Sequence, residues 1–391
     1  MASVSPEPRT TDEPSVATTT SGRIVLFGAT GYTGDLTARE MARRGIRPVL
    51  AGRGQARLDA LASELGGLEV AVADVSDPGT VAALVGEGDV LVSTVGPFAR
   101  WGKPALEAAI SKHAHYLDST GEGSFIRHVF ENAGPRAEAA GVGLLTAMGY
   151  DWVPGNLAGA MALRDAGEGA RRVKVAYFIV AEPEAGQVAG GMSGGTRASA
   201  AGALLDPAFS FRGGRIVTER GAKRLAHFET GSGGTKPAIS VGTSEHFALP
   251  RLSSSIDEVD VYLGWFGPAS RPMQAFAAGS ALATKLPGVR SGVGAVASKL
   301  VKGSTGGPDA AARSRSRSLI VATAHDEHGT DLSRVILEGP NGYDLTAAFL
   351  AWGAERAAAG QLRGSGALGP VDGFGLDELE TAAAEYGLTR A

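Results

Sequence analysis

The chain has no cysteine, which excludes disulfides, thiolate metal sites, cysteine nucleophiles and Cys-ligated iron–sulfur clusters. It also lacks an excess of either charge. Its 37 basic and 41 acidic residues leave a net charge of −4, without the basic surplus that a general nucleic-acid binder needs against phosphates. There is no uncharged apolar run of the ~18 residues that would span a bilayer. The first 21 residues, MASVSPEPRTTDEPSVATTTS, have neither the basic start nor the apolar centre of a secretory signal. They read as a disordered leader, and a cytoplasmic location is the expectation. Glycine, by contrast, is plentiful at 57 of 391 residues, about twice the usual ~7%, and has no collagen-like period. With 43% hydrophobic residues, this is the composition of a folded, loop-rich α/β protein, and its length suggests two domains.

From Arg23 to Leu145 short apolar runs alternate with amphipathic ones. RIVLFG, PVLAGR, LEVAVAD, DVLVSTVG, HYLDST and VGLLTAMG read as six buried strands separated by helices, a parallel doubly wound sheet. After Gly149 the rhythm changes to longer strands at 171–182, 316–327 and 330–340. The expected organisation is a leader at 1–21, a Rossmann domain at 22–150 and a substrate-binding α+β domain at 151–343. A C-terminal helical segment at 344–391 is expected to pack back on the Rossmann domain.

The first strand runs into GATGYTG and then a helix. In this pattern Gly28 turns the chain off the strand, Gly31 admits a pyrophosphate to the helix N-terminus, and Gly34 allows close helix–sheet packing. Thr30, Tyr32 and Thr33 complete the loop. Arg53 follows the second strand, where an NAD site usually has an acid, so the preference is for the 2′-phosphate of NADP(H). Asp74 is a candidate for the adenine amino group or for the cap of the next helix. Ser93, Thr94 and Gly96 end the fourth strand, where a nicotinamide is expected.

Several chemistries are disfavoured. None of the seven Tyr residues has Lys four positions on, so the short-chain dehydrogenase pair is missing. GMSGG does not follow the strand that a serine nucleophile elbow requires, and no His pair has metalloprotease spacing, so no metal is expected. Tyr150, Asp118, His115 and Asp151 are the candidate proton donors, each with a plain structural alternative in capping or core packing. Ser119, Gly194, Gly195 and Thr196 are candidates for holding substrate through hydroxyls and amides.

GATGYTG, AGR, STVGPF, HYLDSTGE, GYDWVPGN, MSGGTRAS and GPNGYDLTAA together make the sequence resemble the saccharopine-dehydrogenase-like NADP-binding oxidoreductases, which include the trans-acting enoyl reductases of lipid and polyketide assembly. The tail, GSGALGPVDGFGLDELE, departs from the LTPA-like close common in that family. The resemblance implies NADPH as hydride donor and reduction of the conjugated C=C of an enoyl thioester. Its alternatives are a C=N reduction of saccharopine type and an NADP(H) sensor without hydride transfer. A carrier-protein-bound acyl substrate, or one derived from an amino acid, is the expected partner. The acid-free stretch 261–308, with Arg271, Lys285, Arg290, Lys299 and Lys302, is a candidate for docking a carrier or a membrane surface. A homo-oligomer is a further candidate assembly.

Overall fold

The computed structural model describes residues 22–181, 207–231, 234–283 and 306–391. The leader and the MSGGTRAS segment lie outside them, as do four of the five basic positions in 261–308. Six short strands, β1 (Ile24–Phe27), β2 (Val49–Gly52), β3 (Val70–Val72), β4 (Val90–Ser93), β5 (His115–Asp118) and β6 (Gly143–Leu145), form a parallel sheet in the order β6-β5-β4-β1-β2-β3. Every residue of β1, β2 and β4 is buried. Helices cover both faces, so these strands are apolar throughout rather than alternating. The order reverses between β1 and β4, and the crevice at the carboxyl ends of these two strands is where open α/β sheets take ligands.

The second sheet contains β7 (Arg172–Ala181), β8 (Ala208–Arg212), β9 (Arg215–Glu219), β10 (Leu225–Glu229), β11 (Thr235–Val241), β12 (Glu258–Leu263), β13 (Ser316–His325) and β14 (Asp331–Gly339). Only β7 and β12 run parallel to each other. The sequence reading anticipated β7, β13 and β14 and missed the five between. Gly213 and Gly214, at φ +55° and +73°, make the two-residue turn of the β8–β9 hairpin. The stretch beginning at Val261 is not a surface element throughout. Val261, Tyr262 and Leu263 are buried in β12, and exposed chain starts only beyond it.

The C-terminal residues reach both sheets. β15 (Gly366–Ala367) adds a seventh parallel strand beside β6, and β16 (Thr389–Arg390) pairs with β14. The helix Gly342–Ala358 lies against the helix Tyr32–Arg43 and behind β4 and β5, while the helix Val153–Ala166 packs on β7, β13 and β14. The second helix is buried over its first eleven residues, which explains its lack of a clear polar face in sequence. Among the described residues no helix is long and apolar enough to cross a membrane.

Candidate functional site

The glycine loop is held first by backbone hydrogen bonds. Gly28 sits at φ +91°, and the amides of Gly28 and Ala29 both donate to the Ala51 carbonyl on β2, at 2.9 and 3.1 Å. Gly31 caps the helix Tyr32–Arg43 and offers no side-chain acceptor. The first-turn N–H groups are therefore left to a ligand, and the helix end favours an anion. A Cβ at Gly34 would strike the Gly28 carbonyl, so the tight strand-to-helix turn depends on that glycine. Thr94 braces the loop from β4, its hydroxyl 3.2 Å from the carbonyls of both Phe27 and Gly28. A glycine cradle, free amides and a switch-point crevice fit a dinucleotide pyrophosphate.

At the adenosine end, exposed Arg53 directly follows β2 and half-buried Asp74 follows β3. Asp74 Oδ1 accepts from the Ser76 amide and hydroxyl, both at 2.8 Å. These bonds, and then the Arg53 charge, hold its carboxyl below the ordinary range. Asp74 does not cap the next helix. Asp77 does, accepting from Gly79 N at 3.1 Å. Arg57, which the sequence reading did not single out, lies over Gly54, its Nε 3.3 Å from where a Cβ would be. Two guanidinium groups therefore flank the end of β2, suited to a 2′-phosphate.

The remaining candidates separate by location. Ser93 is buried beside Asp118 in the β4–β5 register, whereas Thr94, Gly96 and Ser119 are half-buried at the carboxyl edge. Asp118 is sealed. Its Oδ1 accepts from the amides of Thr120 and Ala147, both at 2.9 Å, and its Oδ2 from the Thr146 hydroxyl at 2.8 Å. Burial raises its pKa to about 6 against the pull of these bonds. The carboxyl clamps the ends of β5 and β6, and it holds Ala147 at φ +60°. His115 needs correcting, because HYLDSTGE as a whole reads as a carboxyl-edge motif and its histidine is not there. His115 opens β5, three residues before Asp118 and so roughly 10 Å away along the strand, where its Nδ1 accepts from Gly143 N at 3.0 Å. Gly194, Gly195 and Thr196 lie outside the described residues.

Beyond β6 the chain builds an aromatic cluster around two buried acids. Tyr150 packs edge-on to Tyr177 at 5.6 Å and stacks with Trp265 at 6.4 Å, while Trp152 meets Tyr177 at 5.1 Å. Asp151 Oδ1, Glu245 Oε2 and the indole nitrogens of Trp152 and Trp265 have no hydrogen-bond partner among the described residues. Burial alone raises the Asp151 pKa to about 7. Burial also raises Glu245 to about 7, opposed chiefly by its bond to Tyr177.

Tyr177 ties Glu245 to the backbone of the helix Val153–Ala166. The Tyr177 oxygen lies 2.7 Å from Gly155 N, 2.7 Å from Glu245 Oε1 and 3.1 Å from the Trp152 carbonyl. Gly155 N–H donates to the phenol oxygen, and the phenol's one proton goes to the shorter of its two remaining contacts, Glu245 Oε1. Gly155 is required for this, since a Cβ there would overlap both the phenol and the Glu245 carboxyl. Sequence reasoning missed Glu245 and Tyr177. After Thr243 and Ser244, an acid in the first turn of the helix Glu245–Leu252 looks like an ordinary helix start. Among the described residues no group of three or more His, Asp or Glu could hold a metal.

Comparison with known proteins bears on this arrangement. Residues 24–145 match the family described as saccharopine dehydrogenase NADP binding domain. A trans-acting enoyl reductase of Mycobacterium leprae is 39% identical over 140 residues, 34% of each chain. A Mycobacterium tuberculosis protein provisionally named a trans-acting enoyl reductase is 35% identical over 192 residues, 45% of this chain and 42% of that one. The chain thus spans less than half the length of these relatives in the match. Saccharopine dehydrogenase (L-Glu forming) from Saccharomyces cerevisiae, solved in its apo form, shares the fold at a TM-score of 0.59 and 14% identity. That match covers 95% of this chain and 99% of the yeast one.

Proposed function

Residues 24–145 are a saccharopine dehydrogenase NADP-binding domain, and from that premise we propose that this protein reduces the conjugated C=C of an enoyl thioester with NADPH. The cofactor's site is the cradle of Gly28, Thr30, Gly31, Thr33 and Gly34, with Arg53 and Arg57 at the 2′-phosphate and Thr94 and Gly96 beside the nicotinamide. When bound, NADPH supplies a hydride for the β carbon. The chain must then align the acyl group and deliver a proton to the α carbon.

One observation carries this reading: Asp151, whose buried Oδ1 has no partner among the described residues, lies against Gly121, just past the carboxyl end of β5. With its pKa near 7, Asp151 holds a proton that it can release, as a general acid requires. Asp118 cannot serve in this way, since its oxygens are taken by the chain's own donors. Tyr150 is set in the core, its hydroxyl 3.4 Å from the Phe178 carbonyl. The relatives named trans-acting enoyl reductase support the C=C assignment. They also support a carrier-bound substrate, for which the acid-free stretch 261–308 is the proposed docking segment. Neutralising Arg271, Lys285 and Lys299 should then slow carrier-bound turnover more than turnover of a short free thioester, and equal effects would remove the docking role.

A second reading is reduction of a C=N bond. It is favoured by the Asp151–Glu245 pair, because no buried cation compensates these acids among the described residues and a product amine would. Tracing deuteride from labelled NADPH into enoyl-pantetheine thioesters and into amine plus keto-acid pairs decides between them. Label at the thioester β carbon is the expected result. Label at a new C–N carbon would transfer the protein to the second reading, and binding without transfer to either panel would leave it a sensor.

A further inference from the structure

The pyrophosphate of a dinucleotide carries two negative charges, and the glycine loop has no cation of its own to meet them. No Lys or Arg occurs between Arg23 and Arg39. Arg23 is paired with Asp89 at the far end of β1, and Arg39 is held by Asp35 and Glu64. The one charge in the first turn of the helix Tyr32–Arg43 is the acid Asp35. Amides and a helix dipole remain, and a charged partner has to arrive from elsewhere in the chain.

The second half of the chain brings one to the loop. Arg313, from the short helix Ala310–Ser314 that leads into β13, places Nη1 3.3 Å from the Tyr32 hydroxyl and 3.2 Å from the Pro308 carbonyl. Its Nε donates to Asp344 Oδ1 at 2.8 Å. Tyr32 itself donates to the Pro308 carbonyl, lies against the backbone of Gly307 and meets Tyr343 edge-on at 5.1 Å. The guanidinium is therefore fixed in plane by an acid on one edge and by the loop's own tyrosine on another. Its Nη2 has no hydrogen-bond partner among the described residues. An oriented guanidinium with two free N–H groups beside a helix N-terminus is suited to a phosphate oxygen.

We infer that Arg313 is a ligand of the NADP(H) pyrophosphate, supplied across the domain boundary to a loop that lacks a cation, with Asp344 and Tyr32 as its positioning residues. The cofactor is then held by both halves of the chain. Arg53 reads the 2′-phosphate and Arg313 reads the bridge common to NADPH and NADH.

Calorimetric and fluorescence titrations of the full chain with NADPH, NADH and adenosine 2′-monophosphate test this without any turnover. Arg313→Ala should raise the Kd for NADPH and for NADH alike by about 10–100-fold, the scale of a lost charge-assisted bond. It should leave adenosine 2′-monophosphate, which has no pyrophosphate, unchanged. Arg53→Ala should give the complementary pattern, weakening NADPH and adenosine 2′-monophosphate and sparing NADH. An unchanged Kd for NADPH and NADH in Arg313→Ala would overturn the assignment, as would an equal loss for all three ligands. If Arg313→Ala melts well below the parent, Arg313→Gln, which keeps a donor for Asp344 without the charge, is judged by the same criteria.

Discussion

Tyr177 donates a hydrogen bond to Glu245 Oε1 across 2.7 Å while its oxygen accepts from Gly155 N, also at 2.7 Å. Burial favours the neutral form of this carboxyl against the pull of that bond, which has a measurable effect on stability. Its pKa rises on folding from the ordinary 4.5 to about 7. Below pH 4.5 its contribution is fully present. Between 4.5 and 7 the unfolded chain releases the proton while the folded chain keeps it, so stability falls by roughly 3 kcal/mol across that window. Glu245→Gln keeps an oxygen that accepts from Tyr177 and cannot ionise, so it should fold normally and flatten this part of the stability–pH curve. Chemical denaturation at pH 5 and pH 8 measures the difference, and an unaltered slope would mean that Glu245 is not the group responsible.

Asp151 has the same sign of shift and a different consequence. As proton donor it works only while protonated, so kcat should decline as pH rises through about 7. Asp151→Asn should lower kcat by roughly 10²–10⁴-fold and leave the Kd for NADPH unchanged. Full activity in this variant would refute the proton-donor role.

Arg53→Ala should cost NADPH binding roughly 1.5–3 kcal/mol, the value of a charged hydrogen bond, with little change for NADH. Direct titration with both nucleotides reads the effect. A comparable loss for both would rule out recognition of the 2′-phosphate.

Asp118→Ala strands three buried donors: the amides of Thr120 and Ala147 and the Thr146 hydroxyl. Unpaired buried groups cost roughly 1–3 kcal/mol each, so urea denaturation should show a loss of about 3–5 kcal/mol. A near-neutral variant would mean that other groups hold the ends of β5 and β6.

What could be read from sequence follows how far each signal reaches along the chain. The glycine loop, Arg53 and the first six parallel strands are written in residues close to one another, where spacing and apolar runs are direct consequences of backbone geometry. β15 is two residues in a Gly-rich tail, and nothing local marks Gly366–Ala367 as the neighbour of β6. β9 and β12 were hidden because their polar positions pair across the sheet. Glu219 meets Arg224, and Asp260 meets Arg212 and Arg224, so the charges that suggest a loop are paired with arginines brought to them by the fold. Asp118 was legible as a carboxylate at a strand end. Two of its three clamping partners lie 28 and 29 residues further on, and its role depends on them. Arg313 and Tyr32 are 281 residues apart, and no pattern of spacing joins them.

The strands β15 and β16 have a consequence for how the protein is made. Residues 366–390 place one strand beside Gly143 in the first sheet and another beside Leu337 in the second. A growing chain that has reached Leu145 therefore carries a dinucleotide-binding sheet with the free edge of β6 exposed, and this edge stays open until the remote strand arrives. Such an edge is a template for unwanted pairing, and its closure depends on a contact of very high sequence separation, the slow kind to form. A fragment cut at the apparent domain boundary near residue 150 should consequently aggregate unless residues 342–374 are supplied, covalently or as a second piece.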